Sequence, residues 1–155
     1  MRPLGETAAR LAARLASGGV LAVSGFFKAV RPPEEFAAAI ASYQLVPPAW
    51  TLWIASAFPY VELLTGTFLA AGLFTVWAAR AAAACYAGFI FFLGSALWRG
   101  IDLVSCGCFG PTVSISPRFT LALDVLSLGL SGWIAAGGAG RASLDGWFEG
   151  RGGSD

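Results

Sequence analysis

Residues 49–98, AWTLWIASAFPYVELLTGTFLAAGLFTVWAARAAAACYAGFIFFLGSALW, decide the fold of this 155-residue chain. Within them only Glu62 and Arg80 are charged. One helix through the whole stretch would be about 75 Å long, whereas the hydrocarbon core of a bilayer is roughly 30 Å thick. The stretch therefore predicts two membrane spans, at about 50–73 and 79–98, which turn near residues 72–77.

The composition of the whole chain also indicates a membrane protein. It is 57% hydrophobic and 12% charged, with a mean hydropathy of +0.70, whereas a soluble domain carries about a quarter charged residues. The net charge of +1 argues against a nucleic-acid partner. Because histidine is absent, the usual imidazole base and the usual zinc or haem ligand are absent too. At this length we expect one domain.

Two further spans are predicted on either side of the central stretch. The apolar run 15–30 indicates a first span at about 12–30, with the charged ends of Arg14 and Lys28 extended outward to the membrane interface. A basic start and a short apolar run would also suit a secretory signal, but no convincing cleavage site precedes Lys28. The last span is expected at about 118–138, with Asp124 as its internal charge.

Between the first two spans, residues 34–43 predict a short amphipathic helix. Phe36, Ile40 and Tyr43 recur there at helical spacing, and Pro32-Pro33 separates the segment from the first span. We expect this helix to lie on the membrane surface or to cap the bundle. The predicted fold is thus an all-α integral membrane four-helix bundle over residues 1–140, followed by a flexible polar tail at 141–155.

The basic residues predict the orientation of this bundle. Four spans place both termini on one side, and this side, with the middle turn, carries six arginines against four basic residues on the other. The first group is Arg2, Arg10, Arg14, Arg80, Arg141 and Arg151, and the second is Lys28, Arg31, Arg99 and Arg118. The positive-inside rule then predicts cytoplasmic termini in the inner (cytoplasmic) membrane, so that the loop at 100–117 faces the oxidising extracytoplasmic space.

That loop holds Cys106-Gly107-Cys108, the clearest chemical motif of the chain. A disulfide between the two cysteines would close a ring of about three residues and remove little chain entropy, worth roughly 1–2 kcal/mol. Such a bond would add little to the stability of the fold, but its strain makes it easy to reduce, which suits thiol–disulfide exchange. The alternatives are a clasp for a soft metal such as Cu(I), or inert thiols. Cys85, predicted near the opposite end of its span, is expected only to pack.

Charged residues are expected to gather on the side of the thiols. An unpaired charge inside a bilayer costs roughly 3 kcal/mol or more, so Glu62 should pair with Lys28 or Arg99. The pair would either lock the bundle or handle protons and orient a ligand, and Arg99 could lower the pKa of a thiol.

The apolar residues suggest two further features. Most aromatic residues suit the membrane belt and the core, and a minority could line a flat-ring pocket, such as one for a quinone. Small residues would let the helices approach closely in lipid. They are Gly18, Gly25, Gly66, Ala84, Gly88, Gly129 and Gly132.

Five short runs of the sequence together carry a resemblance to one family. They are Gly25-Phe26-Phe27-Lys28, Tyr43-Gln44-Leu45-Val46-Pro47, Pro59-Tyr60-Val61-Glu62-Leu63-Leu64, Arg99-Gly100 and Cys106-Gly107-Cys108-Phe109-Gly110. Over roughly residues 15–137 the chain resembles the MauE branch of the DoxX-like membrane proteins. The resemblance implies a four-helix membrane bundle that serves methylamine utilisation through redox maturation of exported proteins, beside a thioredoxin-like partner. DoxX relatives include a subunit of a thiosulfate:quinone oxidoreductase, which makes a quinone a candidate cofactor.

The residues and the resemblance together predict a redox-associated membrane protein, a component of a membrane thiol–disulfide or quinone oxidoreductase. Cys106 and Cys108 would form its redox pair, with Glu62, Lys28 and Arg99 as a supporting polar cluster and no resident metal. Its partners would be an exported substrate protein and a separate thioredoxin-like protein, since this chain has no Cys-x-x-Cys motif. The alternative is a membrane protein that binds or transports Cu(I).

Overall fold

The computed structural model describes residues 4–101, 116–138 and 143–146. Five helices make up nearly all of this part of the chain, with one further helical turn at 144–146 and no strand. They are α1 (Leu4–Ala29), α2 (Pro33–Ser42), α3 (Pro48–Ala71), α4 (Thr75–Trp98) and α5 (Pro117–Gly137). The predicted all-α fold is confirmed.

Three of the helices, α3, α4 and α5, are each long and apolar enough to cross a membrane. α1 and α2 meet the same criterion only as a pair, bent by 113° at the break between them, so the described part of the chain holds three or four spans. α1 begins at Leu4, well before the predicted start near residue 12, and an ion pair of 3.1 Å between Glu6 and Arg10 stabilises its added turns. The architecture is that of an all-α membrane bundle.

Prolines and one glycine set the ends of the helices. Pro33, Pro48 and Pro117 occupy the first positions of α2, α3 and α5, where a missing backbone N–H costs nothing. Gly72 ends α3 in the left-handed conformation (φ 74°), and a side chain there would also collide with the guanidinium of Arg14. The turn between α3 and α4 is therefore confined to residues 72–74, inside the predicted region.

α1 and α3 lie antiparallel with their backbones in contact. A Cβ added at Gly18 would lie 2.7 Å from the carbonyl oxygen of Gly66, and one added at Gly25 would lie 2.5 Å from the amide nitrogen of Leu63. Because real Cβ atoms do not come so close, these positions accept only glycine. The close packing predicted for Gly18, Gly25 and Gly66 is confirmed.

The prediction of close helix packing is wrong for three other glycines. A Cβ added at Gly88, Gly129 or Gly132 would have no described atom within 4 Å, apart from its own helix backbone and chain neighbours. Gly129 and Gly132 are exposed on α5, and Gly88 borders a cavity. Small residues in a sequence therefore mark two different features here, a helix contact and an open space.

Two buried arginines lie at the end of the bundle where α1 begins. Arg14, 2% exposed, donates from Nε to the Leu69 carbonyl (3.2 Å) and from Nη2 to the Ala70 carbonyl (3.1 Å). Arg10 donates to the Gly138 carbonyl at 3.0 Å. The expected outward extension of Arg14 is therefore wrong, because its guanidinium turns inward to satisfy carbonyls that end α3.

Asp145 fastens part of the tail to the same end of the bundle. Its carboxylate accepts hydrogen bonds from the Phe74 amide (2.9 Å) and from the amide and hydroxyl of Thr75 (both 2.8 Å), at the start of α4. The Asp145 amide donates to the Gly72 carbonyl at 3.0 Å. Residues 143–146 thus contact the bundle, whereas the rest of the segment 141–155, predicted to be flexible, lies outside the described residues.

Candidate functional site

A buried ion pair joins α1 to α3. The Nζ atom of Lys28 donates to both carboxylate oxygens of Glu62, at 2.7 and 2.9 Å, and the Ser24 hydroxyl donates to Oε2 at 3.3 Å. Glu62 is fully buried and Lys28 is 6% exposed. The expected pairing of Glu62 is therefore present, and its partner is Lys28. The outward extension expected of Lys28 is wrong, because its ammonium group turns inward to this carboxylate.

Local sequence explains how these side chains meet. Ser24 and Lys28 are four residues apart and so share one face of α1. Between them Gly25 packs against the backbone of α3 at Pro59 and Leu63, which brings that face to Glu62. The pair thus depends on a glycine that lets the two backbones touch.

Two aromatic rings complete the surroundings of the ammonium group. Lys28 Nζ lies 4.8 Å from the ring centroid of Phe36 on α2 and 4.9 Å from that of Phe89 on α4. Both distances are within the range of cation–π attraction, which grows when the cation is desolvated. Four helices therefore meet at Lys28.

A cavity of about 350 Å³ adjoins this ammonium group. All five helices or their ends contribute to its wall, which is lined by Lys28, Phe36, Ile40, Tyr43, Val46, Ile54, Phe58, Ala84, Cys85, Gly88, Phe89, Phe92, Leu93 and Asp124. Among these described residues, only Lys28, Tyr43, Cys85 and Asp124 have polar or ionisable side chains. An apolar wall with a few converging polar groups is typical of small-molecule sites, and the volume lies in their usual range of roughly 300–1,000 Å³.

Arg99 takes no part in the ion pair. Its guanidinium donates to the backbone carbonyl of Tyr43, and its Nε donates to the Ser95 carbonyl at 3.4 Å. The candidate pairing of Arg99 with Glu62 is therefore wrong. Arg99 instead ties the end of α4 to the end of α2, where the Tyr43 ring packs edge-on against Phe92 with centroids 5.9 Å apart.

Cys106 and Cys108 lie outside the described residues, so their predicted role as a redox pair stays a prediction. The third cysteine has an unexpected place. Cys85 lies near the middle of α4, is buried, and lines the cavity with Lys28, rather than lying near the far end of the span. The spacing of Cys85, Phe89 and Phe92 on one helix face is the sequence signal that could have revealed this.

Asp124 contributes the carboxyl group in the wall of the cavity, which Glu62 itself does not line. It lies in α5, is 4% exposed, and borders both the main cavity and a smaller one beside Ser24. In the part of the chain that the structure describes, no three histidine, cysteine or acidic side chains come together as metal ligands would. The described side chains at the site are one ammonium group, two carboxyl groups and several aromatic rings.

These features define an integral membrane protein of apolar helices around an internal, ligand-sized cavity with a buried ion pair. The sequence model of one family, described as methylamine utilisation protein MauE, matches residues 6–137, and the chain belongs to this family. No curated protein and no solved structure matches the chain. Family membership associates this membrane protein with methylamine utilisation.

Proposed function

We propose that this protein supports the disulfide maturation of exported proteins by thiol–disulfide exchange. Cys106 and Cys108 are its redox pair, on the extracytoplasmic face of the inner membrane. A separate thioredoxin-like protein carries the exchange to the exported substrate protein. The membrane supplies a quinone as the electron acceptor.

A dithiol of the partner protein attacks the Cys106–Cys108 disulfide, first forming a mixed disulfide and then the partner's own disulfide. Cys106 and Cys108 are left as two thiols. Re-forming their disulfide releases two electrons and two protons, which convert one quinone into one quinol.

The observation that carries the proposal is the position of the described residues on either side of the segment 102–115, which contains the two thiols. Tyr43, Leu93 and Ala96 form a small buried cluster, and Ile101 and Leu121 pack against it. Ile101 directly precedes the segment 102–115 and Leu121 follows it shortly in α5. The described residues that flank the segment therefore lie beside the cavity that Lys28 lines, which supports an exchange site coupled to a membrane ligand.

Trapping of the mixed disulfide tests the proposal. In Cys106→Ser or Cys108→Ser the remaining thiol can attack the disulfide of the oxidised thioredoxin-like partner, which releases one partner thiol, but this chain then has no second thiol to resolve the mixed disulfide. With oxidised partner supplied, one of the two variants should therefore accumulate a covalent adduct with it. The double variant should form none, and Ser105→Ala, which alters the same loop without touching a thiol, should behave like the natural protein. Non-reducing gels and mass spectrometry identify the adduct.

A redox titration of the purified protein supplies an independent measurement. We expect one two-electron couple, at a potential above the roughly −300 mV of structural disulfides. If the couple lies below this value, or if the double variant still supports maturation of a disulfide-containing exported protein, the proposal is wrong. Copper bound in stoichiometric amount to the two thiols would favour the Cu(I) alternative.

A further inference from the structure

Part of the wall of the cavity is exposed at the surface of the bundle. On this side its wall consists of Ile54 and Phe58 from α3 and of Ala84 and Gly88 from α4. Ala84 lines the cavity and is nevertheless exposed, and Gly88 is partly exposed. The small side chains on α4 thus leave a gap between α3 and α4 that joins the cavity to the surroundings of the bundle.

The position of this gap along the membrane-spanning helices determines which kind of ligand can enter. Ala84 and Gly88 lie near the middle of α4, a helix long and apolar enough to cross the membrane. The middle of such a helix faces hydrocarbon rather than headgroups or water. A ligand that uses the gap must therefore be dissolved in the bilayer.

The charges at the cavity select against an anionic ligand. The Lys28 ammonium, which would otherwise attract an anion, is already hydrogen-bonded to both carboxylate oxygens of Glu62. Asp124 contributes a carboxyl group to the wall itself. The site therefore presents N–H donor capacity without excess positive charge, which suits an uncharged hydrogen-bond acceptor better than a fatty-acid carboxylate or a lipid phosphate.

The shape of the apolar wall favours a flat ring. Four phenylalanines line the cavity, and the rings of Phe58 and Phe89 pack edge to face with centroids 5.8 Å apart, one from α3 and one from α4. Aromatic faces pack well against a planar ring in stacked or edge-on arrangements. The ligand must also offer an acceptor oxygen to Lys28, and a carbonyl group on the planar ring supplies one.

We propose that this cavity binds the head ring of a membrane quinone, which enters between α3 and α4 and accepts a hydrogen bond from Lys28 through one carbonyl. Glu62 is a positioning residue, since it holds the ammonium group at the edge of the cavity. The binding site stands on the geometry alone. The use of the bound quinone as the acceptor of two electrons and two protons rests on the proposed function.

Photolabelling of the purified protein in lipid nanodiscs tests the site. The probe is an azido-substituted short-chain ubiquinone, and the labelled peptides are mapped by mass spectrometry. We expect the label on the cavity-lining parts of α3 and α4, and we expect excess decylubiquinone to displace it. Oleic acid, which offers an acyl chain and a carboxylate but no ring, should not.

Two variants and one matched control make the test specific. Gly88→Leu places a side chain in the open space beside the cavity and should lower labelling about tenfold or more. Gly129→Leu makes the same change at an exposed position on α5 away from the cavity and should label normally. Lys28→Met combined with Glu62→Met removes the donor without leaving a lone buried charge, and should weaken competition by decylubiquinone about tenfold.

Three results would overturn the inference: equal labelling of the Gly88→Leu and Gly129→Leu proteins, displacement of the label by oleic acid as effective as by decylubiquinone, or unchanged competition in the Lys28→Met, Glu62→Met protein. The protein with Cys106→Ser and Cys108→Ser separates this inference from the proposed function, because it should still be labelled. If labelling persists and no mixed disulfide ever forms, the proposed function fails and the quinone site stands. The reverse result removes the quinone site alone.

Discussion

Lys28 and Glu62 show how a membrane bundle accommodates two opposite charges. The carboxylate has no exposed surface, and the ammonium group is held by Glu62 and by two aromatic rings. Removing both charges of such a pair is often tolerated, whereas removing one leaves the other buried and uncompensated. Comparing single and double substitutions of Lys28 and Glu62 therefore shows whether the two residues act as a unit.

We predict strong non-additivity at this pair. Glu62→Met alone, or Lys28→Met alone, should lower the free energy of unfolding by about 3–5 kcal/mol, and the double variant should recover most of that loss. Reversible unfolding in mixed micelles measures the three values. In a parallel cycle with Arg99→Met and Glu62→Met, the effects should add to within about 0.5 kcal/mol, because Arg99 contacts Tyr43 instead. Additive effects for Lys28 and Glu62 would contradict the coupling.

Asp145 makes a second prediction at the scale of one residue. Partial burial raises the pKa of its carboxyl, but hydrogen bonds from Thr75 and Phe74 and the charge of Arg14 outweigh this and hold the pKa below its ordinary value of 3.8. A lowered pKa in the folded state gives stability that is present above the unfolded pKa and is lost as the pH falls through the folded pKa.

Asp145→Asn should therefore be less stable than the natural protein at neutral pH, and the difference should shrink as the pH falls below about 4. Unfolding of both proteins in the same detergent, measured from about pH 7 to pH 3, tests this. Thr75→Val, which removes one of the donors to the carboxylate, serves as a second variant with a smaller effect in the same direction. A difference that stays constant over the whole range would show that the carboxylate charge is not involved.

At the scale of helices, the contact between α1 and α3 positions the site. Gly18 and Gly66 hold one part of the contact and Gly25 another, so that the face carrying Ser24 and Lys28 meets Glu62. Lipid provides little hydrophobic driving force between helices, and close backbone packing is one of the forces that replaces it. The contact is thus a structural requirement for both the ion pair and one side of the cavity.

Gly66→Ala should destabilise the bundle by about 1–3 kcal/mol, because the added Cβ would lie less than 3.0 Å from backbone atoms of Ala22 and Gly18 and would force the helices apart. Gly129→Ala is the matched control, since the added methyl group there has no described atom within 4 Å apart from its own helix backbone and chain neighbours. The control should be neutral or slightly stabilising, as alanine favours helices more than glycine does. Equal stability of the two variants would show that the α1–α3 contact is looser than described.

At the scale of the whole molecule, the helix order places two sets of ends at opposite faces of the bundle. The start of α1 and the end of α5 lie together, since Arg10 bonds to Gly138, and Asp145 adds the described part of the tail to the same face. The end of α4 and α2 lie at the other face, where Arg99 contacts Tyr43. The described residues nearest the two chain termini therefore lie at one face of the bundle, and the residues that flank the segment 102–115 lie at the other.

Labelling with a membrane-impermeant thiol reagent tests which face of the bundle is extracytoplasmic. In intact spheroplasts, after mild reduction, Cys106 and Cys108 should react, since the arginine distribution predicts that their segment is extracytoplasmic. Ser154→Cys, in a protein that lacks both of these thiols, should react only after lysis. Cys85 should react in neither case because it is buried within α4. The opposite pattern would reverse the orientation and remove the oxidising compartment from the proposed function.

The sequence by itself determined the class of protein and most of the helix boundaries. Apolar runs, together with the prolines at 33, 48 and 117 and the glycine at 72, act through local backbone geometry and hydration, so they can be read without knowing any contact. The cost of a lone charge in lipid likewise showed that Glu62 needs a partner.

The tertiary structure alone decided which partner Glu62 has and where the cavity lies. Helical periodicity tells which residues share a face, but not which helix that face meets, and Lys28 and Arg99 were equal candidates on that ground. Lys28 is the partner of Glu62 because Gly25 lets α1 pack directly against α3. For the same reason Arg14 turned inward, and Cys85 lines a cavity beside Lys28, since a side chain's surroundings depend on the rotation and separation of packed helices.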